Sequence, residues 1–128
     1  MNKLYYAIIL LFCSILLTCK ENEIRDRGKD EQELSKLFNQ LKTLSQQVAC
    51  ENEADWKFVP YGEQACGGPM GFIAYSVKID TANFLKLVDR YGIKQREFNS
   101  RWSVVSPCAL LLAPKGVICE NGKPKFVN

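Results

Sequence analysis

Two stretches of the chain carry apolar residues at helical spacing. From Glu31 to about Val48, apolar positions recur at steps of three and four, and charged and amide side chains lie between them: Leu34, Leu37, Phe38, Leu41, Leu44 and Val48. After Asp80-Thr81 the apolar positions are Phe84, Val88, Tyr91, Phe98 and Trp102. This pattern predicts two amphipathic helices with their apolar faces in the core. Asp30 and Asp80 are the expected N-caps.

Shorter stretches have the composition of strands. Trp56–Val59 ends at Pro60, and Gly71–Lys78 is rich in aromatic and β-branched residues. Ala109–Leu112 and Val117–Cys119 flank a Pro- and Gly-containing turn, which predicts a hairpin. Asn121-Gly122 is a further turn signal, after which the last residues add an edge strand. We therefore predict an α+β domain, with two amphipathic helices packed on a small antiparallel sheet of about three to five strands.

The N-terminus predicts export. Lys3 precedes a nearly unbroken apolar run from Leu4 to Leu17, and Cys19 follows one residue later. The run is typical of a secretory signal and is short for a membrane span, which needs about 20 apolar residues. We interpret residues 1–18 as a lipoprotein signal peptide, residues 19–30 as a lipidated charged tether that begins at Cys19, and residues 31–128 as a single domain. The alternative is ordinary cleavage nearby, which leaves Cys19 as a free thiol.

Cysteine parity agrees with acylation of Cys19. Of the six cysteines, Cys13 leaves with the signal and Cys19 carries the lipid, so four remain. In an exported chain of this size four cysteines indicate two disulfides. The leading pairing is Cys50 with Cys66 and Cys108 with Cys119, the second across the predicted hairpin; the two other connectivities stay open. A zinc site is the alternative, but zinc ligands usually come in closer pairs.

The charged run from Lys20 to Asp30 holds a single aliphatic residue, so we expect it to be unordered. Its first residues, Cys19-Lys20-Glu21-Asn22-Glu23, resemble the sorting signal of surface-exposed lipoproteins of the Bacteroidota. This resemblance implies a lipid anchor in the cell envelope, at the outer membrane. A solvated spacer without sorting information is the alternative.

The composition of the chain argues against several classes of function. The chain has 17 Lys and Arg against 14 Asp and Glu. This charge balance lacks the clear basic excess that is typical of a nucleic-acid-binding protein. The chain has no histidine, which removes the commonest general base and most transition-metal sites. We expect no catalytic site, no metal and no cofactor.

The part of the chain from Cys50 to Pro124 resembles a group of small secreted bacterial proteins to which no activity is attached. The matching residues are Trp56, Ala65-Cys66-Gly67-Gly68-Pro69, Ile73-Ala74-Tyr75-Ser76, Asn99, Cys108, Cys119 and Asn121-Gly122. Members often have aspartate before the third cysteine, where this chain has Pro107. The resemblance implies a secreted fold and transfers no mechanism.

The candidate binding surface is the loop Gly62–Met70. Its proposed contact residues are Tyr61, Gly67, Gly68, Pro69 and Met70, flanked by a basic ridge of Lys86, Arg90 and Lys94. For the ridge the alternative is a solvated helix face. For the two glycines the alternatives are a plain turn and an oxyanion hole, and a hole lacks an activated nucleophile beside it.

Thr81 is a candidate modification site. Asp80-Thr81-Ala82 resembles the O-glycosylation sequon of exported proteins of the Bacteroidota. A helix N-cap explains the same residues unaided.

These observations favour a non-enzymatic envelope lipoprotein that binds a protein or envelope partner and no nucleic acid. An inhibitor or immunity protein against a secreted hydrolase and a structural envelope component are the alternatives.

Overall fold

A computed structural model describes residues 26–128. Leu34–Asn128 form one compact unit. The first helix, α1, covers residues 26–45. It is followed by a short 3₁₀ turn (Glu53–Asp55), β1 (Trp56–Tyr61), β2 (Gly71–Ser76), α2 (Thr81–Arg101), β3 (Gly116–Glu120) and β4 (Lys123–Val127). The predicted α+β architecture, with two helices on small antiparallel sheets, is confirmed.

The start of α1 differs from the expectation for the charged run. Residues 26–30 are helical, so Asp30 lies inside a helix and is not its N-cap. Oppositely charged side chains one turn apart support this part of the helix: Arg27 Nε lies 3.1 Å from Glu31 Oε1, and Lys29 Nζ lies 3.6 Å from Asp26 Oδ1. Such local pairs stabilise a helix by roughly 0.2–0.5 kcal/mol each.

The core lies where α1, α2 and β2 meet. Its buried members are Leu37, Leu41, Tyr75, Phe84, Val88 and Tyr91. Five of these six belong to the two apolar stripes read from the sequence, so the assignment of both stripes to the core is confirmed. The side chain of Asp80 accepts a hydrogen bond from the backbone N–H of Asn83 (3.0 Å) and caps α2 as predicted.

The strands form two two-stranded sheets where one sheet was expected. β1 pairs antiparallel with β2, and β3 pairs antiparallel with β4. Pro60 lies inside β1, opposite Phe72. A residue without an N–H is tolerated there because each strand of a two-stranded sheet is an edge strand. Phe58 contacts Phe72 and Phe126 edge to face at 6.0 and 6.1 Å between ring centroids, and so connects the two sheets.

The predicted hairpin between Ala109–Leu112 and Val117–Cys119 is wrong. Residues 104–114 form no strand, and β3 pairs with the strand that follows it. The two strands are joined by Asn121 and Gly122, both at positive φ (54° and 73°). A two-residue turn of this kind matches the right-handed twist of the flanking strands, so it closes the hairpin in preference to the longer connection before β3.

The leading disulfide pairing is also wrong. Cys50 pairs with Cys119 and Cys66 pairs with Cys108, with Cα–Cα separations of 5.2 and 5.8 Å. This connectivity follows from the hairpin. The backbone N–H of Cys50 donates to the carbonyl of Gly122 (2.9 Å), which brings the connection after α1 against the β3–β4 turn and next to Cys119. Cys108, on the irregular segment, is left to join the loop that contains Cys66.

Candidate functional site

The loop Gly62–Met70 connects β1 to β2 and has a defined backbone conformation. The N–H of Gly67 donates to the carbonyl of Gln64 (2.9 Å), and the N–H of Gln64 donates to the carbonyl of Gly68 (2.9 Å). Gly67 and Gly68 have φ of 94° and 83°, values that side chains disfavour. The predicted turn is therefore present. Because the Gly67 N–H is bonded within the loop, it is not available to an oxyanion.

Gln64 is the centre of the hydrogen bonds that hold this loop. Its Nε2 donates to the carbonyl of Pro69 (2.8 Å) and to the carbonyl of Ala109 (3.1 Å). The hydroxyl of Ser106 donates to its Oε1 (3.4 Å). One side chain thus ties the two ends of the loop together and joins the loop to the segment after α2.

Glu63 attaches the loop to the last turns of α2. Its Oε2 accepts from Arg96 Nε (2.8 Å), and its backbone carbonyl accepts from Asn99 Nδ2 (2.8 Å). Gln95, buried on α2, donates from its Nε2 to Asn99 Oδ1 (3.2 Å) and orients that amide. The hydrogen bond and charge of Arg96 lower the pKa of the Glu63 carboxyl, and Glu63 raises the pKa of Arg96.

The Cys66–Cys108 disulfide links the exposed tip of the loop to the irregular segment 104–114. Both cysteines are exposed, and Cys108 has a positive φ of 53°. Between the two segments lies a groove of about 330 Å³, which the loop lines with Gly67, Gly68 and Pro69 and the segment lines with Leu110 and Leu111. The exposed side of the loop is thus rigid and borders an apolar surface.

Tyr61 has a structural role that the sequence did not predict. It is only partly exposed and packs against the rings of Phe38 and Tyr91, at 5.3 and 6.2 Å between centroids. A Cβ added to Gly71 would lie 2.9 Å from its Cε1, so the ring lies directly over that glycine. Burial, with a smaller contribution from Tyr61, raises the pKa of Tyr91. Tyr61 therefore supports the loop from below, while Met70, 44 % exposed, lies at its surface.

The basic ridge lies on α2. Lys86 and Arg90 are exposed, and Lys94 Nζ lies 3.4 Å from Glu97 Oε2. The bonds that attach the loop to α2 come from Arg96 and Asn99, which belong to the next turns of the helix. Arg96 was not predicted from the sequence, and Asn99 appeared only among the residues of the family resemblance.

The remaining predicted sites are placed as follows. Thr81 is the first residue of α2, and its hydroxyl donates to the carbonyl of Ile79 (3.3 Å). Its glycosylation stays a prediction. Cys19 lies outside the described residues. In the 3₁₀ turn before β1, Asp55 accepts from Lys78 Nζ (2.6 Å) and raises the pKa of that lysine.

Within residues 26–128, no group of three or more His, Cys, Asp or Glu side chains is arranged to hold a metal ion. The same part of the chain has no helix with the length and apolar character of a membrane span.

Comparison of the chain with protein-family models, with curated proteins and with solved structures finds no match. The family resemblance read from the sequence therefore stays a prediction.

Proposed function

We propose that this protein is exported, is held in the cell envelope by an acyl chain on Cys19, and acts there without catalysis as a binding module for a protein partner. Its contact surface is the exposed side of the loop Gly62–Met70, with Gly67, Gly68 and Met70 at its centre. The observation that carries the proposal is the rigid attachment of this exposed loop by the Cys66–Cys108 disulfide and by Gln64.

The disulfides support export. All four cysteines after Cys19 lie in two pairs, and such pairs form and persist in oxidising compartments. With those four paired, Cys19 has no partner among them. An acyl chain on its sulfur removes the thiol that would otherwise be left over in an oxidising space.

The loop supports binding because its conformation is fixed before any partner arrives. Flexible loops lose conformational entropy on association, and a loop held in one conformation loses less. Here the tip is crosslinked, Gln64 joins both ends, and Glu63 is bonded to α2.

The test is crosslinking in intact cells with a photoreactive residue at position 70. We expect a saturable crosslink to a single protein, and we expect Met70→Glu, tested with the photoreactive residue at the exposed position 65 of the same loop, to abolish it. Ile93→Glu is the matched control, because Ile93 has a similar exposure (52 %) and lies on α2. Equal crosslinking by the Met70→Glu variant and the wild type would contradict the proposal for this surface.

The anchor is tested separately with Cys19→Ala. We expect this variant to lose partitioning into the detergent phase and to leave binding by the loop intact. Unchanged partitioning would contradict acylation and would leave the loop proposal to be judged by its own crosslink.

A further inference from the structure

The connection between α2 and β3 presents large apolar side chains to solvent. Val105, Leu110 and Leu112 are 91 %, 88 % and 82 % exposed, whereas Leu111 between the two leucines is 41 % exposed. We call Val105, Leu110 and Leu112 the apolar strip. Single exposed apolar residues are common on proteins. Three that are more than four-fifths exposed on one short segment make this segment a candidate interaction surface.

The segment that carries the strip is fixed on both sides of the leucines. Before them, Cys108 is bonded to Cys66, and the carbonyl of Ala109 accepts from Gln64 Nε2 (3.1 Å). After them, Pro114 is buried and the N–H of Lys115 donates to the carbonyl of Val127 (2.7 Å). The leucines are therefore held away from the core by a supported backbone, and collapse onto the core is prevented at both ends.

The charged residues of the segment that carries the strip have a single sign. From Phe98 to Cys119 the chain has no Asp or Glu, and its only charged residues are Arg101 and Lys115, which stand on either side of the strip in sequence. The guanidinium of Arg101 lies 5.1 Å from the centre of the Trp102 ring. Leucines flanked by tryptophan and basic residues have the composition of segments that lie in the interface of a bilayer. Anionic lipids attract such basic residues.

We propose that the apolar strip inserts into the surface of an anionic lipid bilayer, with Arg101 and Lys115 at the level of the lipid phosphates. The surface goes beyond the proposed function. Its side chains belong to residues 98–119, and it stands whether or not Cys19 is acylated. Because Cys66–Cys108 joins the strip to the loop Gly62–Met70, insertion also places that loop close to the membrane surface.

The test uses the tryptophan fluorescence of the oxidised full chain on lipid vesicles. The chain has two tryptophans, and Trp56 is buried, so it gives a constant background. Vesicles contain equal parts of phosphatidylcholine and phosphatidylglycerol, with or without bromine on the acyl chains near the carbonyl. We expect brominated lipid to quench Trp102, and we expect Leu110→Ser with Leu112→Ser to reduce that quenching at least about threefold.

The matched control is Val77→Ser with Ile93→Ser, which removes two exposed apolar side chains from other elements. This variant should be quenched like the wild type. In a third variant, Leu110→Trp, the new tryptophan lies within the strip and should be quenched more strongly than Trp102. Circular dichroism checks that each variant is folded, which the high exposure of the replaced side chains makes the expected result.

Flotation with the vesicles is measured in parallel, so that binding by another part of the chain is recognised. The proposal is overturned if the protein floats with the vesicles but brominated lipid leaves the Leu110→Trp emission unchanged. The same result is expected if the natural occupant of the strip is a protein and not a membrane. It is equally overturned if the control variant loses as much quenching as the strip variant. Failure of acylation is recognised separately, because the Cys19→Ala variant would then float like the wild type, whereas strip-dependent quenching would be the same in both.

Discussion

The core and the loop region, which comprises residues 62–70 and 103–114, are held together by different interactions. In the core, Leu41 and Phe84 are fully buried and pack between the helices and β2. In the loop region Cys66, Gly67, Gly68 and Cys108 are exposed, and the contacts are a disulfide, an ion pair and the hydrogen bonds of Gln64. Burial of apolar side chains therefore stabilises the core, whereas a disulfide and polar bonds stabilise the loop region.

This difference has a functional consequence. A surface that must present glycines, Met70 and the apolar strip to a partner or a membrane cannot also bury them for stability. Covalent and polar bonds beneath that surface fix its shape and leave the exposed side available. We therefore expect damage to the core to unfold the whole domain, and damage to the loop bonds to loosen the loop region first.

The largest expected effect is in the core. Phe84→Ala removes a fully buried ring and should lower the free energy of unfolding by about 3–5 kcal/mol, because both the transfer energy of the ring and packing around the cavity are lost. Denaturant unfolding at neutral pH measures it. Leu85→Ala, the exposed neighbour on the same helix, is the control and should change stability by less than about 0.5 kcal/mol. Similar losses for the two variants would contradict the assignment of this helix face to the core.

The next largest effect is the loss of stability on removing a disulfide, and it should differ between the two disulfides. Replacing Cys50 and Cys119 by alanine should cost about 2–4 kcal/mol, and replacing Cys66 and Cys108 should cost less, because the second crosslink closes a shorter separation (42 against 69 residues). Cys50 is also buried, whereas Cys66 and Cys108 are both exposed.

The two disulfides should also differ in how readily they are reduced, because their sulfur atoms differ in exposure. A reducing thiolate reaches an exposed sulfur more readily than a buried one. With increasing dithiothreitol we expect Cys66 and Cys108 to become alkylated before Cys50 and Cys119, as measured by mass spectrometry of peptides. Alkylation of the Cys50–Cys119 pair first would contradict the comparison of the two regions.

Loss of Gln64 should have a smaller effect. Gln64→Ala removes the hydrogen bonds to Pro69, Ala109 and Ser106 and should lower stability by roughly 1–2 kcal/mol, since these groups are partly open to water, which replaces the lost bonds. Amide hydrogen exchange should show the loss of protection in the loop region while the core stays protected. Gln40→Ala, on the exposed face of α1, is the control and should change neither quantity.

The same comparison explains which parts of the fold could be predicted from the sequence. The helices are encoded by local periodicity, the start of α2 by Asp80, and the last hairpin by Asn121-Gly122. Each signal is complete within a few residues, so no knowledge of the rest of the chain is needed.

The loop region is encoded by contacts that are distant in sequence. The three side-chain bonds of Gln64 reach partners 5, 45 and 42 residues away, and a lone glutamine in a loop carries no periodic signal. The run Ala109–Leu112 has the composition of a buried strand, but it forms no strand, and β3 pairs instead with β4 across the turn at Asn121-Gly122. The error in the hairpin then led to the error in the disulfides.

The smallest expected effect is a pH dependence at the junction between the loop and α2. The pKa of Glu63 is lowered by the hydrogen bond and charge of Arg96. In the unfolded chain the value is about 4.3. A group whose pKa is lower in the folded state stabilises that state above the unfolded pKa, and this contribution is lost as the pH falls through the folded value. The attachment of the loop to α2 should therefore weaken only in acid, below about pH 4.3.

An NMR titration of the Glu63 carboxyl carbon measures this directly. In the wild type the midpoint should lie below the ordinary value for glutamate, and Arg96→Gln should return it toward about 4.3, because the charge and its hydrogen bonds are removed. Glu63→Gln keeps an oxygen acceptor for Arg96 and should remove the acid-dependent loosening of the loop, which amide exchange detects. Asn99 still donates to the Glu63 carbonyl at every pH, so the loop should loosen without detaching. Identical midpoints in the wild type and in Arg96→Gln would show that the ion pair contributes nothing to holding the loop.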